Sequence, residues 1–300
     1  MRTFRFKRFC MAGAGALALV TFVAGCPRKA VNPPPPAKPA VQSANLEIAI
    51  SGNVKLEMVK VEGGTFEMDQ DSQKSRHEVT LKDFYIGKTE VTHEQYRAVM
   101  DANPSKFTTP YESTDSKMPV ESVSWYDAMK FCEKLNKYGK APKGWKFALP
   151  TETQWEYAAC GGKNNSGYTG GCSLDEVCWY YKNSGLRTMS EAEKYNEHGE
   201  IYSNRCQPHM VGEKKANSLG LHDMIGNVWE WCLDDYNKDS RFSVPEFTRS
   251  SDDKSNAKRV IRGGGWSYGS FPLYLSTRDD WEPNGKSPNI GFRVVLVPAE

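Results

Sequence analysis

The stretch RVIRGGGWSYGSFPLYLSTRDDWEPNGKSPNIGFRVVLV, Arg259 to Val297, frames the rest of the chain. Its last part, Val294-Val295-Leu296-Val297, is a continuous apolar run, the pattern of a strand buried on both faces, and Gly291-Phe292-Arg293 leads into it. At the other end Gly263-Gly264-Gly265 permits positive φ and close backbone approach, which suits a tight corner against the aromatic ring of Trp266. Between these anchors lie Ser267, Tyr268, Gly269, Ser270, Phe271, Leu273, Tyr274 and Leu275, then Asp279, Asp280, Trp281 and Glu282. They follow neither the strand nor the helix period and predict displayed loops. Aromatic side chains supply contact area at low entropy cost and small ones supply adaptable hydrogen bonds, so this composition fits a ligand-binding surface. It also fits an irregular structural loop with its aromatics tucked underneath.

The whole chain has 300 residues, 39% of them hydrophobic and 25% charged, enough for one sizeable core. A formal charge of +2 gives no basic field and therefore no argument for nucleic acid. Arg2, Arg5, Lys7 and Arg8 precede the apolar run Met11 to Val23, which is too short to span a membrane as a helix. Small residues then lead into Cys26, so residues 1–25 read as a lipoprotein signal with Cys26 as the lipidation site. A plain signal peptide cut elsewhere is the alternative. Residues 26–50, rich in proline, read as an extended tether reaching up to ~60 Å from an outer-membrane anchor, and residues 51–300 as the globular domain.

Within that domain Met58-Val59-Lys60-Val61, Glu62-Gly63-Gly64 and Thr65-Phe66-Glu67-Met68 read as a hairpin, and His77 to Ile86 as a further strand. Helices are signalled by capping boxes at Thr92-His93-Glu94-Gln95, Ser124-Trp125-Tyr126-Asp127 and Thr151-Glu152-Thr153-Gln154, each ahead of apolar residues spaced by three and four. Cys160, Cys172, Cys178 and Cys206 bracket a Gly/Ser/Asn-rich region; in an exported protein they predict disulfides, with the pairing open, and the spacing lacks the CxxC of most zinc sites. Cys132 and Cys232 read as buried thiols. Around GLHDMIGNVWEW, Asn227 and Glu230 are candidate oxygen ligands for a structural calcium, or else tie down a loop by hydrogen bonds. The five histidines are scattered, with no metal-binding pair.

Taken in order, GGTFEM (Gly63 to Met68), YIGKTEVTHEQY (Tyr85 to Tyr96), PVESVSWYDAMKFC (Pro119 to Cys132), LPTETQWEYAA (Leu149 to Ala159), GLHDMIGNVWEWC (Gly220 to Cys232), RGGGW and NIGFRV resemble the formylglycine-generating enzyme, or sulfatase-modifying factor, family. The resemblance implies a single α/β (α+β) domain with a C-type lectin fold of the formylglycine-generating-enzyme subtype. It also implies that calcium sites are retained. Oxidase members of the family act through two cysteines after the RGG motif, together with copper and oxygen. This chain has no cysteine after Cys232, so no soft ligand for Cu(I) and no thiolate partner for a substrate thiol, and formylglycine generation is not expected.

The C-terminal segment from residue 259 to 297 further resembles that of the variable proteins of diversity-generating retroelements, and the whole chain, including its lipoprotein signal, resembles the spirochaetal variable surface lipoproteins of that group. That likeness implies a diversified site at Ser267 to Glu282 facing a protein or cell-surface ligand on a lipid-anchored, surface-exposed, monomeric protein. The alternatives are a non-catalytic accessory or structural envelope protein of the same family, and an envelope enzyme with another metal centre.

Overall fold

The three capping boxes nucleate the helices where the sequence places them. In α1 (His93–Met100), α2 (Trp125–Lys137) and α3 (Glu152–Ala159) the N-cap hydroxyl accepts from the N3 backbone N–H, and the N3 side chain accepts from the N-cap N–H. The computed structural model describes residues 45–69, 76–108, 116–162, 172–190, 204–236, 252, 257–269 and 273–299. The signal, Cys26, most of the tether, Ser270 and Phe271 lie outside the described residues.

Among the described residues eleven strands accompany the helices: β1 (Leu46–Ser51), β2 (Val54–Val61), β3 (Gly64–Asp69), β4 (Arg76–Leu81), β5 (Phe84–Gly87), β6 (Trp145–Ala148), β7 (Trp229–Asp235), β8 (Arg259–Arg262), β9 (Arg278–Trp281), β10 (Ile290–Gly291) and β11 (Val295–Pro298). A short helix, α4 (Leu174–Val177), follows α3. The strands form a five-stranded sheet of order β1-β2-β5-β11-β6, a four-stranded sheet of order β10-β7-β8-β9 and the β3-β4 ribbon. The apolar C-terminal run is central, as its composition predicts: β11 sits antiparallel between β5 and β6, with Val295, Leu296 and Val297 all buried. Helix α2 is locked to β6 through Asn136, whose side chain both donates to the Phe147 carbonyl at 2.9 Å and accepts from its N–H at 2.8 Å.

Three expectations for the front of the domain are corrected. Leu46-Glu47-Ile48-Ala49-Ile50 belongs to strand β1, with Ile48 and Ile50 buried, so residues 46–50 are part of the folded domain and not of a tether reaching residue 50. The predicted hairpin does not form: β2 pairs with β1 and β5, whereas β3 pairs with β4. The chain changes sheet at Gly63, whose N–H donates to the Asp83 carboxylate at 2.8 Å. The stretch His77 to Ile86 is likewise two strands in two sheets, separated at Lys82-Asp83.

The disulfide framework is also corrected. Cys178 and Cys206 are buried free thiols, so two bridges over the four cysteines do not form. The Cys206 thiol donates to the Tyr181 carbonyl at 3.5 Å, and Cys178 is fully buried with its thiol pushed well above the ordinary range by burial. Cys132 and Cys232 are buried thiols, as their positions beside apolar residues predict.

A buried charge cluster ties the loop before β7 to the scaffold. Arg293 donates to Glu230 from Nε at 2.6 Å and Nη2 at 2.7 Å, and to the carbonyls of Gly87 and His222 at 3.0 Å. Glu90 and Asp223 act electrostatically on this pair. Burial, reinforced by the Asp223 charge, pushes the Glu90 carboxyl well above its usual range, and burial raises Asp223 to about 6. A raised acid binds protons in the folded state that the unfolded chain has released by about pH 4, so these groups make stability fall as pH rises from there towards the folded values. In the presence of a chelator, the melting temperature of the wild type should drop across that window more steeply than that of Asp223→Asn. Equal slopes in the two proteins would show that the protons are taken up elsewhere.

Candidate ligand-binding loops and their frame

The backbone that leaves β8 makes its corner with left-handed residues, Gly263 at φ 95° and Gly264 at φ 80°. A Cβ on Gly263 would stand 3.2 Å from the Trp155 ring, so the missing side chain lets the loop cross the α3 tryptophan. Trp266 then closes the turn: its N–H donates to the Asn227 carbonyl at 2.7 Å, its indole N–H donates to the Pro288 carbonyl at 2.9 Å, and Phe107 meets the ring edge-on at 5.2 Å.

Two arginines fasten the far side of the loop to α3. Glu152 and Glu156 are four residues apart on that helix, hence on one face. Arg262, fully buried, pairs with Glu156, lies 3.5 Å from Glu152, and donates to the carbonyls of Leu275 at 3.0 Å, Ser276 at 2.9 Å and Thr277 at 3.3 Å. Arg278 forks onto Glu152 at 2.8 and 2.9 Å and lies over the Tyr236 ring at 4.7 Å. Burial works against the charge on Arg262, and Glu156 and Glu152 more than offset it, so the guanidinium is held in its charged form. None of these clamping residues appears in the sequence-based site; the spacing of the two glutamates and the arginines flanking the loop were the available signal.

The predicted site residues that the structure describes separate into three groups. Tyr274 and Trp281 are exposed at 44% and 41%, and Asp279 and Glu282 are exposed beside them. Ser267, Tyr268, Gly269 and Asp280 are half-buried: Ser267 shares a hydrogen bond with Asn289 at 3.0 Å, Tyr268 sets its ring edge-on to Trp229 at 5.2 Å, and Asp280 pairs with Lys258 at 2.6 Å. Leu273 and Leu275 are corrections, because at 1% and 8% exposure they are inward pegs of the core and offer no contact to a ligand. Asp279 to Trp281 is a second correction. These residues are no loop but, with Arg278, the edge strand β9, paired in register with β8 from Arg259↔Trp281 to Arg262↔Arg278.

Asn227 and Glu230 do not fit a calcium site. The Asn227 side chain accepts from the His209 N–H at 2.9 Å and donates to the His209 carbonyl at 3.2 Å, which is the loop-tying arrangement. Glu230 accepts from the Trp155 indole at 2.7 Å and from two nitrogens of Arg293, so a guanidinium already neutralises it. Among the described residues no group of three or more His, Cys, Asp or Glu side chains is arranged to hold a metal ion.

Comparison with known proteins agrees with this frame. A profile of the sulfatase-modifying factor enzyme 1-like domain matches residues 50–297. The chain is 36% identical over 278 residues to the chaperone protein LppX of Paenibacillus barcinonensis, covering 82% of this chain and 91% of that protein. It is 26% identical over 296 residues to the inactive C-alpha-formylglycine-generating enzyme 2 of Bos taurus, covering 79% and 86% of the two chains. Among solved structures, Treponema denticola variable protein 1 superposes with a TM-score of 0.66 at 26% identity, over 87% of this chain and 100% of that one. The architecture is the C-type lectin fold in its formylglycine-generating-enzyme form, with curled sheets, few helices and long connections. With the profile spanning nearly all of the folded region, the chain belongs to the sulfatase-modifying factor enzyme 1-like family.

Proposed function

We propose that this is a lipid-anchored, exported binding protein whose surface from Ser267 to Glu282 contacts a protein or cell-surface ligand and is diversified by a retroelement. The observation that carries the reading is the division of labour in the loop. Trp266, Leu273, Leu275, Arg262 and Arg278 bear the packing and ion pairs, while Tyr274, Asp279, Trp281 and Glu282 face outward. A surface that must tolerate many side chains needs a frame whose stability does not depend on them. Similarity to a variable protein of Treponema denticola over nearly the whole folded region supports the same reading. The absence of cysteine after Cys232, and similarity to a family member named inactive, favour binding over catalysis.

The decisive test is the DNA beside the gene. A near-copy of the coding segment for residues 259–297 next to a reverse transcriptase, differing only at adenines, is the expected finding, with mismatches at the exposed positions. Without such a copy the diversification idea fails. A second reading, an accessory protein with one fixed protein partner, draws on the identity with a chaperone and would then lead.

Two further outcomes are expected. Asp279→Tyr and Glu282→Tyr, at exposed positions, should leave unfolding free energy within about 0.5 kcal/mol of wild type. A loss of several times that in urea titrations would mean that the outer face carries the fold. Cys26→Ala should move the protein from the membrane fraction to the soluble fraction of cells; retention in the membrane would remove the lipid anchor from the account.

A further inference from the structure

From the last turns of α2 to the start of β6 the chain reads KFCEKLNKYGKAPKGWK, Lys130 to Lys146, with six lysines and one acid, Glu133. A formal charge of +2 for the whole chain hides this local concentration of positive charge. Lys130, Lys134 and Lys137 are four and three residues apart and so share one side of α2, and Lys140 and Lys143 follow in the turn. Lys130, Lys137 and Lys143 are exposed, and Lys140 is half-buried. No carboxylate among the described residues pairs with these four, whereas Lys55, Lys88, Lys258 and Lys286 each have one within 2.8 Å.

The turn that carries the lysines is closed by its own backbone. The Tyr138 N–H donates to the Lys134 carbonyl at 2.9 Å, the Lys140 N–H to that of Leu135 at 3.0 Å and the Trp145 N–H to that of Pro142 at 3.0 Å, while Asn136 bridges to Phe147 across the base. The ammonium groups are therefore presented from a formed backbone, and no ordering of the segment opposes a contact. Directly after the helix Tyr138 stands 52% exposed, and Trp145 is half-buried, edge-on to Tyr85 at 5.0 Å. An amphipathic ring set among lysines matches the headgroup level of a bilayer, where the ring enters the interface and the ammonium groups meet phosphates. A stable protein contact takes ~800 Å² on each partner, far more than one turn supplies, whereas a charged bilayer needs only the depth of a ring.

We propose that the α2–β6 turn is a membrane-docking patch, seating the domain on an anionic lipid surface through Lys137, Tyr138, Lys140 and Lys143. The proposal rests on the reading of the chain as exported and lipid-anchored, and it gives that chain an orientation. The other end of α2 is tied to the end of the candidate binding segment: the Trp125 N–H donates to the Pro283 carbonyl at 3.1 Å and Lys286 pairs with Asp127 at 2.6 Å. Thirteen residues of helix separate the two ends by ~20 Å, so a domain seated on its lysines holds Glu282 and its neighbours away from the lipid contact.

The test uses the mature chain from residue 26 with Cys26→Ala, so that no acyl chain contributes. Failure of the lipid anchor, read separately by fractionating cells, leaves this result untouched. In about 0.1 M salt the protein should bind phosphatidylcholine vesicles containing about one-third phosphatidylglycerol and leave pure phosphatidylcholine vesicles unbound. Each lysine near such a surface is worth about fivefold in affinity, so Lys137→Gln, Lys140→Gln and Lys143→Gln together should weaken binding roughly a hundredfold. Lys82→Gln, Lys106→Gln and Lys215→Gln, at exposed lysines elsewhere, should weaken it less than about fivefold. Equal losses in the two triple variants overturn the proposal, because net charge alone then explains the binding. Wild-type binding that is equal on the two kinds of vesicle, or absent from both, overturns it too; retention on heparin without vesicle binding assigns the patch to an acidic macromolecule instead. A readout on the wild type needs no variant to fold: anionic vesicles should shield Lys137, Lys140 and Lys143 from acetylation, and unchanged labelling of all three on vesicle-bound protein sinks the patch.

Discussion

Arg262→Ala is expected to cost about 3–5 kcal/mol of stability, because it removes one partner of a buried ion pair and leaves the other buried without a counter-charge. Arg262 has no exposed surface, and its guanidinium serves Glu156 together with three carbonyls of the Leu275–Thr277 turn. It also lies 5.1 Å from the centre of the Trp155 ring. Deleting it therefore strips the turn of its donors and a helix face of its counter-ion in one step. Against a native stability of about 5–15 kcal/mol, the loss is enough to bring a marginal domain near its threshold. Arg262→Lys keeps the charge but offers a single ammonium where a planar fork now spans several acceptors, so it should recover only part of the loss. Urea titration of the three proteins checks this. A cost below about 1 kcal/mol for Arg262→Ala would mean that the loop frame is held by Trp266 and the leucine pegs alone.

That prediction rests on a part of the site that was not legible in the sequence, and the reason is physical. Helices α1, α2 and α3 could be read directly, because a capping box and an apolar stripe are local signals and both ends of each interaction lie within a turn of one another. Strand β11 could be read because four consecutive apolar residues leave a short segment few alternatives to full burial. The family frame was legible for the same reason, since its motifs are contiguous. What depended on distant partners was not. Strand β9, with the sequence Arg-Asp-Asp-Trp, has poor intrinsic strand preference and is made by its ladder to β8 and by the reach of Arg278 to Glu152 across the fold. Leu273 and Leu275 share the palette of a displayed loop, yet they face inward on a turn that Tyr274 and Thr277 close by hydrogen bonds and that Arg262 fastens through the Leu275, Ser276 and Thr277 carbonyls. The cysteines misled through a general expectation about exported chains, which says nothing of where Cys178 and Cys206 end up.

The other large effect is expected at Gly226, where alanine should destabilise the fold by several kcal/mol or abolish it. Gly226 sits at φ 78°, and a side chain there would run into the carbonyl oxygen of Trp179 and the sulfur of Cys178. The first is backbone, which cannot rotate away, and the second belongs to a fully buried side chain packed into the core. Left-handed strain alone costs about 1–2 kcal/mol for a non-glycine residue, so the clash and not the torsion sets the scale. Its neighbourhood makes relief harder. The Gly226 N–H donates to the Gly263 carbonyl at 2.9 Å, the Asn227 N–H donates to the Trp179 carbonyl at 2.8 Å, and the Asn227 carbonyl receives the Trp266 N–H at 2.7 Å. Any shift that makes room for a methyl group therefore pulls on the corner from which the candidate binding loops spring. Thermal unfolding gives the first readout, and tryptophan fluorescence the second, since Trp179 and Trp266 both bond to this segment through their backbones. Gly226→Ala should melt far below wild type with an altered native emission. Gly139→Ala, also at positive φ but with nothing within 4 Å of the added carbon, should cost only the torsional strain. If the two variants lose equal stability, close packing at Gly226 is not what joins the core to the loops, and the frame must be held from the arginine side alone.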